Sequence, residues 1–190
     1  ARSGRPVLRL KGGDPYICGR GGEAAQALAE AGIPFEVVPG ISAAQGAATM
    51  AGMPLTHRDH ACTLVLTTGH LRSKAEARGE GDTCGADLDW DLLARPRQTV
   101  VVYMGVGTLP TVCAKLVEHG LPADTPAAII ERATRPDQRT VVGTLATLPS
   151  LAVLHGVKPP ALIIIGGVVS LHATLSGQAQ ALAARSAATG

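Results

Sequence analysis

Two hydrophobic rhythms take turns along the chain. Val7 to Leu10 alternates apolar and charged side chains, the period of a half-buried strand, and breaks abruptly into glycine at Gly12-Gly13. Ala24 to Ala31 is rich in Ala, Leu and Glu and reads as a helix closed by Gly32. Ile33 to Val38 reads as a buried strand turned by Pro39-Gly40, after which Ser42 is a natural N-cap for a small-residue helix reaching about Met50. From Ala51 to His60 the helical pattern stops and charged residues cluster, as in a linker. The alternation then resumes. Cys62–Thr67 is a strand, Asp87–Leu93 a short helix anchored to the core by Trp90, Gln98–Tyr103 a central strand, and Leu109–His119 an amphipathic helix closed by Gly120. Ala127–Glu131 and Gln138–Gly143 are further strands, Leu145–Leu154 a helix, and the run from Pro159 to Gly166 a last strand. Leu71 to Ala86 is polar and glycine-rich, with the composition of a surface loop. Strands alternating with helices predict an α/β protein. The linker divides it into 1–55, the C-terminal part of a first α/β domain, 56–176, a second, and 177–190, an Ala-rich tail with no assigned function.

Composition narrows the class. The chain has 190 residues, 46% hydrophobic but only 2% aromatic, so its core is built of Val, Leu, Ile and Ala. A net charge of +2 without a long basic run excludes electrostatically driven nucleic-acid binding. The longest apolar run, Ala161 to Ile165, is interrupted by Gly166-Gly167 and is far short of a membrane span. Cys18, Cys62, Cys84 and Cys113 are scattered, with no C-x-x-C pair, which fits free thiols in a reducing compartment; the expectation is a cytoplasmic protein with a small-molecule partner. His57-x-x-His60 with Cys62 lacks the second ligand pair of a zinc site, so no metal is expected.

Most of the candidate chemistry lies in Leu10-Lys11-Gly12-Gly13-Asp14-Pro15 and its continuation Gly19-Arg20-Gly21-Gly22-Glu23. A strand, a glycine loop and a helix whose free N–H groups point back at the loop make a ligand site, because glycine lets a flat ligand lie directly on the main chain. Gly19-x-Gly21-x-x-Ala24 also fits the dinucleotide pattern, but the strand ends too early and the next acidic candidate, Glu36, lies within a strand rather than at its end. At full length the stretch resembles the signature of the uroporphyrinogen-III C-methyltransferases, a subfamily of the tetrapyrrole methylases. Further motifs follow in the order of that family: Pro39-Gly40-Ile41-Ser42-Ala43, Pro54-Leu55-Thr56-His57-Arg58-Asp59, Thr68-Gly69-His70, Val102-Tyr103-Met104-Gly105 and Pro160-Ala161-Leu162. The resemblance runs from about Pro6 to Leu175.

What the resemblance implies is specific. It implies two α/β domains with the active site in the cleft between them, the first being incomplete in this chain, because family members begin half a domain earlier with another glycine loop. Their acid and base residues belong to that earlier segment, so no catalytic residue is named here. It implies S-adenosyl-L-methionine as cofactor, with S-adenosyl-L-homocysteine as product, bound by Gly12, Gly13, Asp14, Ile17, Ser42, Ala43, Met104, Ala133 and Ala161. Ala133, in Glu131-Arg132-Ala133-Thr134, stands where relatives often have glycine. A tetrapyrrole substrate would meet Arg20 and Arg58, since guanidinium pairs with carboxylate bidentately. For both arginines an ion pair, with Glu23 or Asp59, is an equal alternative. The implied reaction is two successive C-methylations of uroporphyrinogen III to precorrin-2, in sirohaem and cobalamin synthesis, by a homodimer. The alternatives are a later precorrin methylase, an rRNA-methylating relative, or a non-catalytic fragment.

Overall fold

The computed structural model describes residues 2–71 and 87–177. Its centre is one five-stranded sheet of β1 (Thr63–Thr68), β2 (Gln98–Tyr103), β3 (Pro126–Glu131), β4 (Arg139–Thr144) and β5 (Ala161–Ile165), in the order β1-β2-β5-β3-β4. β1 and β2 run parallel, and every other pairing is antiparallel. The three central strands are buried along nearly their whole length and mostly apolar, because both faces are covered. Val100, Val102, Ile129, Ile163 and Ile165 point to one face, under the helices Leu109–Glu118 (α4) and Leu148–Leu154 (α5) and beside Leu93 of the short helix Trp90–Leu93 (α3). Val101, Tyr103, Ala128, Ile130, Leu162 and Ile164 point to the other, under the helix Ala43–Met50 (α2) and the 3-10 turn Gly167–Leu171. The class is α/β, as expected. Trp90 packs against the first core, and Asp89 caps its helix by accepting the Leu92 N–H at 2.9 Å.

Two expectations are corrected. Val7–Leu10 and Ile33–Val38 are not strands. Neither pairs with another strand among the described residues, and Val7, Leu8, Leu10 and Val38 are 71 to 89% exposed. Strand-type side chains create a preference for extended backbone, but a ladder exists only where a second strand supplies the other half of each hydrogen bond. Helices need no such partner. The helix read at Ala24–Ala31 forms as Gly21–Glu30 (α1), starting three residues earlier, and ends in a Schellman motif, with Gly32 N–H on Ala29 O, Ile33 N–H on Leu28 O, and Gly32 at φ 64°. Residues 2–55 have no sheet of their own; their α2 shares a core with β2, β3 and β5. The expected loop falls mainly in 72–86 and the expected tail in 178–190, both outside the described residues.

Candidate functional site

Because β5 is antiparallel to both of its neighbours, one edge of the sheet collects the end of β2, the start of β5 and the end of β3. Glu131 is paired with Ala161, and extending the Val102–Ile163 register by two residues brings Met104 level with Ala161. The end of β1 joins them, since Gly69 N–H donates to Tyr103 O and Thr108 Oγ1 to Gly69 O at 2.6 Å each. Met104, Ala133 and Ala161, separate in sequence, thus stand along one rim. Met104 is left-handed at φ 55° and 60% exposed. A non-glycine residue in that region is strained, and such strain clusters at ligand sites.

Ala133 is held by an ionic hub. The buried Glu131 accepts from Arg132 Nη1 at 2.7 Å, from Arg139 Nε at 3.0 Å, and from Arg139 Nη2. Arg132 N–H reaches Pro160 O at 2.9 Å, fastening this loop to the start of β5. Arg132 and Thr134 take φ 49° and 68°, and the Thr134 methyl lies 3.1 Å from where a Gly46 Cβ would stand. Ala133 itself packs on the α2-side core.

The glycine loop lies against the turn that opens α2. Asp14 Oδ2 accepts the Gly40 N–H at 3.0 Å and Oδ1 the Tyr16 N–H at 2.8 Å, closing the Gly12–Tyr16 turn onto the Pro39-Gly40 turn. The Gly40 amide first, then the Tyr16 amide, hold the Asp14 carboxyl below its ordinary range. Gly13 takes φ 94°, and a Cβ there would lie 3.6 Å from Ala43 N. Gly40 comes so close to the Gly13 carbonyl that a Cβ would stand 2.9 Å from its oxygen. Ile17 anchors the loop in the α2-side core. The capping box of α2 is complete: Ser42 Oγ accepts the Gln45 N–H and Gln45 Oε1 the Ser42 N–H. Gly12, Gly13, Asp14, Ser42 and Ala43 therefore sit on adjoining turns, and Tyr103 carries them to the Met104 rim, its hydroxyl accepting the Ala44 N–H at 3.1 Å.

The two arginines lie elsewhere. Arg20 is left-handed at φ 53°, 82% exposed, and 3.4 Å from Glu23, so its ion-pair alternative is present. Arg58 is not brought to the Met104 rim. Its carbonyl accepts from Arg97 Nη2 at 3.0 Å, and Arg97 precedes β2, some 20 Å of strand from Met104. His57 and His60 have tilted rings 5.0 Å apart, and no group of three metal-ligating side chains converges among the described residues. Tyr103 and Glu131 are the residues that sequence reasoning passed over. The signal for Tyr103 was a polar tip on an inward position, in a chain with only two tyrosines.

An α/β sheet with a strained residue at the end of an interior strand, tied through Tyr103 to a pair of glycine turns, has the form of a ligand-binding site. The particular family follows from comparison: the chain belongs to the tetrapyrrole (corrin/porphyrin) methylases, whose pattern it matches over residues 1–149. It is 59% identical over 169 residues to the sirohaem synthase of Gluconacetobacter diazotrophicus, covering 89% of this chain and 34% of that protein. The crystal structure of uroporphyrin-III C-methyltransferase from Thermus thermophilus complexed with S-adenosylhomocysteine superposes with a TM-score of 0.70 at 38% identity, over 90% of this chain and 69% of that one. A cobalt precorrin-4 methyltransferase structure gives 0.74 at 27% identity, over 88% and 66%. The chain thus spans about a third of the length of the sirohaem synthases it matches.

Proposed function

We propose that this chain carries the S-adenosylmethionine site of a uroporphyrinogen-III C-methyltransferase, and that the protein to which it belongs makes precorrin-2 by two successive methyl transfers. The observation that carries the reading is the strained, exposed Met104 at the end of a buried interior strand, tied through the Tyr103 hydroxyl to the helix start where Gly13 stands beside the Ala43 amide. Sequence identity supports this substrate over a precorrin-4-type one, at 38% against 27%. The residues present suit such a cofactor. The Gly13–Gly40 contact is too close for a Cβ at Gly40, and the two turns it joins offer main-chain groups rather than ionisable side chains.

When bound, the cofactor supplies an electrophilic methyl group. The chain's own task is alignment and the exclusion of water. Ala43 N–H offers a donor, the Met104 turn covers the opposite side, and Ala133 and Ala161 keep the rim narrow. Asp14 does not reach out; it holds two turns together so that Gly13 faces Ala43. Arg20, whose ion pair among the described residues is with the exposed Glu23, is available to a carboxylate of the macrocycle. Arg58 meets substrate in this reading only from outside the rim. The same reading makes the working protein a cytoplasmic homodimer.

Calorimetric titration with S-adenosylhomocysteine tests the proposal. Saturable binding is expected, weakened about tenfold in Asp14→Ala and in Met104→Ala. A folded chain that takes up none of the ligand would sink the reading.

A further inference from the structure

We propose that Tyr103 is a positioning residue for the cofactor, an inference that rests on the reading above. The first four amides of a helix have no partner within it. In α2 they belong to Ser42, Ala43, Ala44 and Gln45. Ser42 N–H goes to Gln45 Oε1, Gln45 N–H to Ser42 Oγ, and Ala44 N–H to the Tyr103 hydroxyl. Ala43 N–H is left without an acceptor among the described residues, beside the bare face of Gly13. Two of the three claimed amides are satisfied locally by the capping box. The third is claimed from 59 residues away.

That distance gives the bond its significance. Tyr103 is the last residue of β2, 9% exposed, its ring seated in the α2-side core, and it immediately precedes the left-handed Met104. Its hydroxyl therefore fixes how far the α2 N-terminus stands from the Met104 turn. These are the two walls a single ligand must meet at once. Phenylalanine would fill the same volume but leave the Ala44 N–H, on a residue 1% exposed, without a partner. The helix end would then settle elsewhere, and Ala43 with it.

The experiment combines residue-resolved amide exchange with S-adenosylhomocysteine titration, on the parent chain and on Tyr103→Phe. In the parent without ligand, Ala44 is expected to exchange slowly and Ala43 fast, and ligand should slow Ala43. Tyr103→Phe should free the Ala44 amide, leave Ile129 and Ile163 in the sheet as protected as before, and weaken ligand binding about tenfold. The sheet amides separate positioning from general loss of stability, which would speed them all. Affinity within about twofold of the parent overturns the inference and leaves the cofactor reading standing. So does an Ala44 amide in the unmodified chain that exchanges as fast as Ala43, a result that needs no folded variant. A parent that binds no ligand overturns both.

Discussion

Met104 shows at the scale of one residue how a ligand site is kept. A left-handed methionine costs on the order of 1 kcal/mol, and its side chain, 60% exposed, recovers little of that by packing. Met104→Gly is therefore expected to raise the unfolding free energy by about 0.5–1 kcal/mol while weakening S-adenosylhomocysteine. Denaturation and titration of the same variant check both halves, and a destabilised variant would show that the side chain matters to the fold. Asp14 makes the complementary case. Its carboxyl is depressed by the Gly40 and Tyr16 amides, so the bracket contributes in full above the ordinary aspartate pKa and is lost as pH falls through the lower folded value. Ligand affinity should be flat through neutral pH and fall only in acid, below about pH 4, and Asp14→Asn should remove that acid limb. Both residues were legible in the sequence by motif. What each does was not, because the partners of Asp14 lie 26 residues away in one case and two in the other.

Elements divide by whether their signals are local. The helices fell where expected because caps, Schellman glycines and side-chain periodicity act within a few residues; α1, α2 and α4 were readable in advance to within a few residues. β2, continuous in Val and bounded by polar residues, was readable for the same reason. Val7–Leu10 and Ile33–Val38 show the limit, since extended propensity does not supply a partner strand. The loop after β3 depends on something subtler. Glu131 is 2% exposed yet charged, and the guanidinium groups of Arg132 and Arg139 balance it. Removing one member of a buried ion cluster costs about 3 kcal/mol or more. Glu131→Gln is expected to lower stability by about that much, with a larger loss of ligand affinity than the sheet's amide protection alone would suggest. Equilibrium unfolding and titration decide this; a variant as stable as the parent would show that the hub is solvated.

For the whole molecule, the two faces of the sheet are unequal. One is closed by α4 and α5, the other by α2 and the 3-10 turn, and each face carries its own cluster of buried side chains. The segment 2–41 contrasts with them, exposing Val7, Leu8, Leu10, Phe35, Val38 and Ile41. Apolar surface gathered in extended, unpaired backbone promotes association. The double substitution Leu8→Lys and Leu10→Lys is expected to reduce concentration-dependent self-association in sedimentation without lowering the melting temperature. A drop in melting temperature would mean that these side chains pack inward. Cys113, by contrast, is buried, and burial pushes its thiol up to about 11.

The sequence by itself determined the α/β class, the approximate positions of the helices and of the five strands that form the sheet, and the ordered motifs by which the family is recognised. All of these rest on contacts between near neighbours or on a hydrophobic period that any packed sheet must satisfy. Only the tertiary structure decided which motifs meet. The antiparallel register of β5 puts Ala161 level with Met104 and Glu131, and the Tyr103 hydroxyl draws α2 to that rim. The sheet's own length keeps Arg58 away from it. Strand order and register arise from long-range pairing and packing, in which the energy of each contact depends on all the others, and no local pattern encodes them.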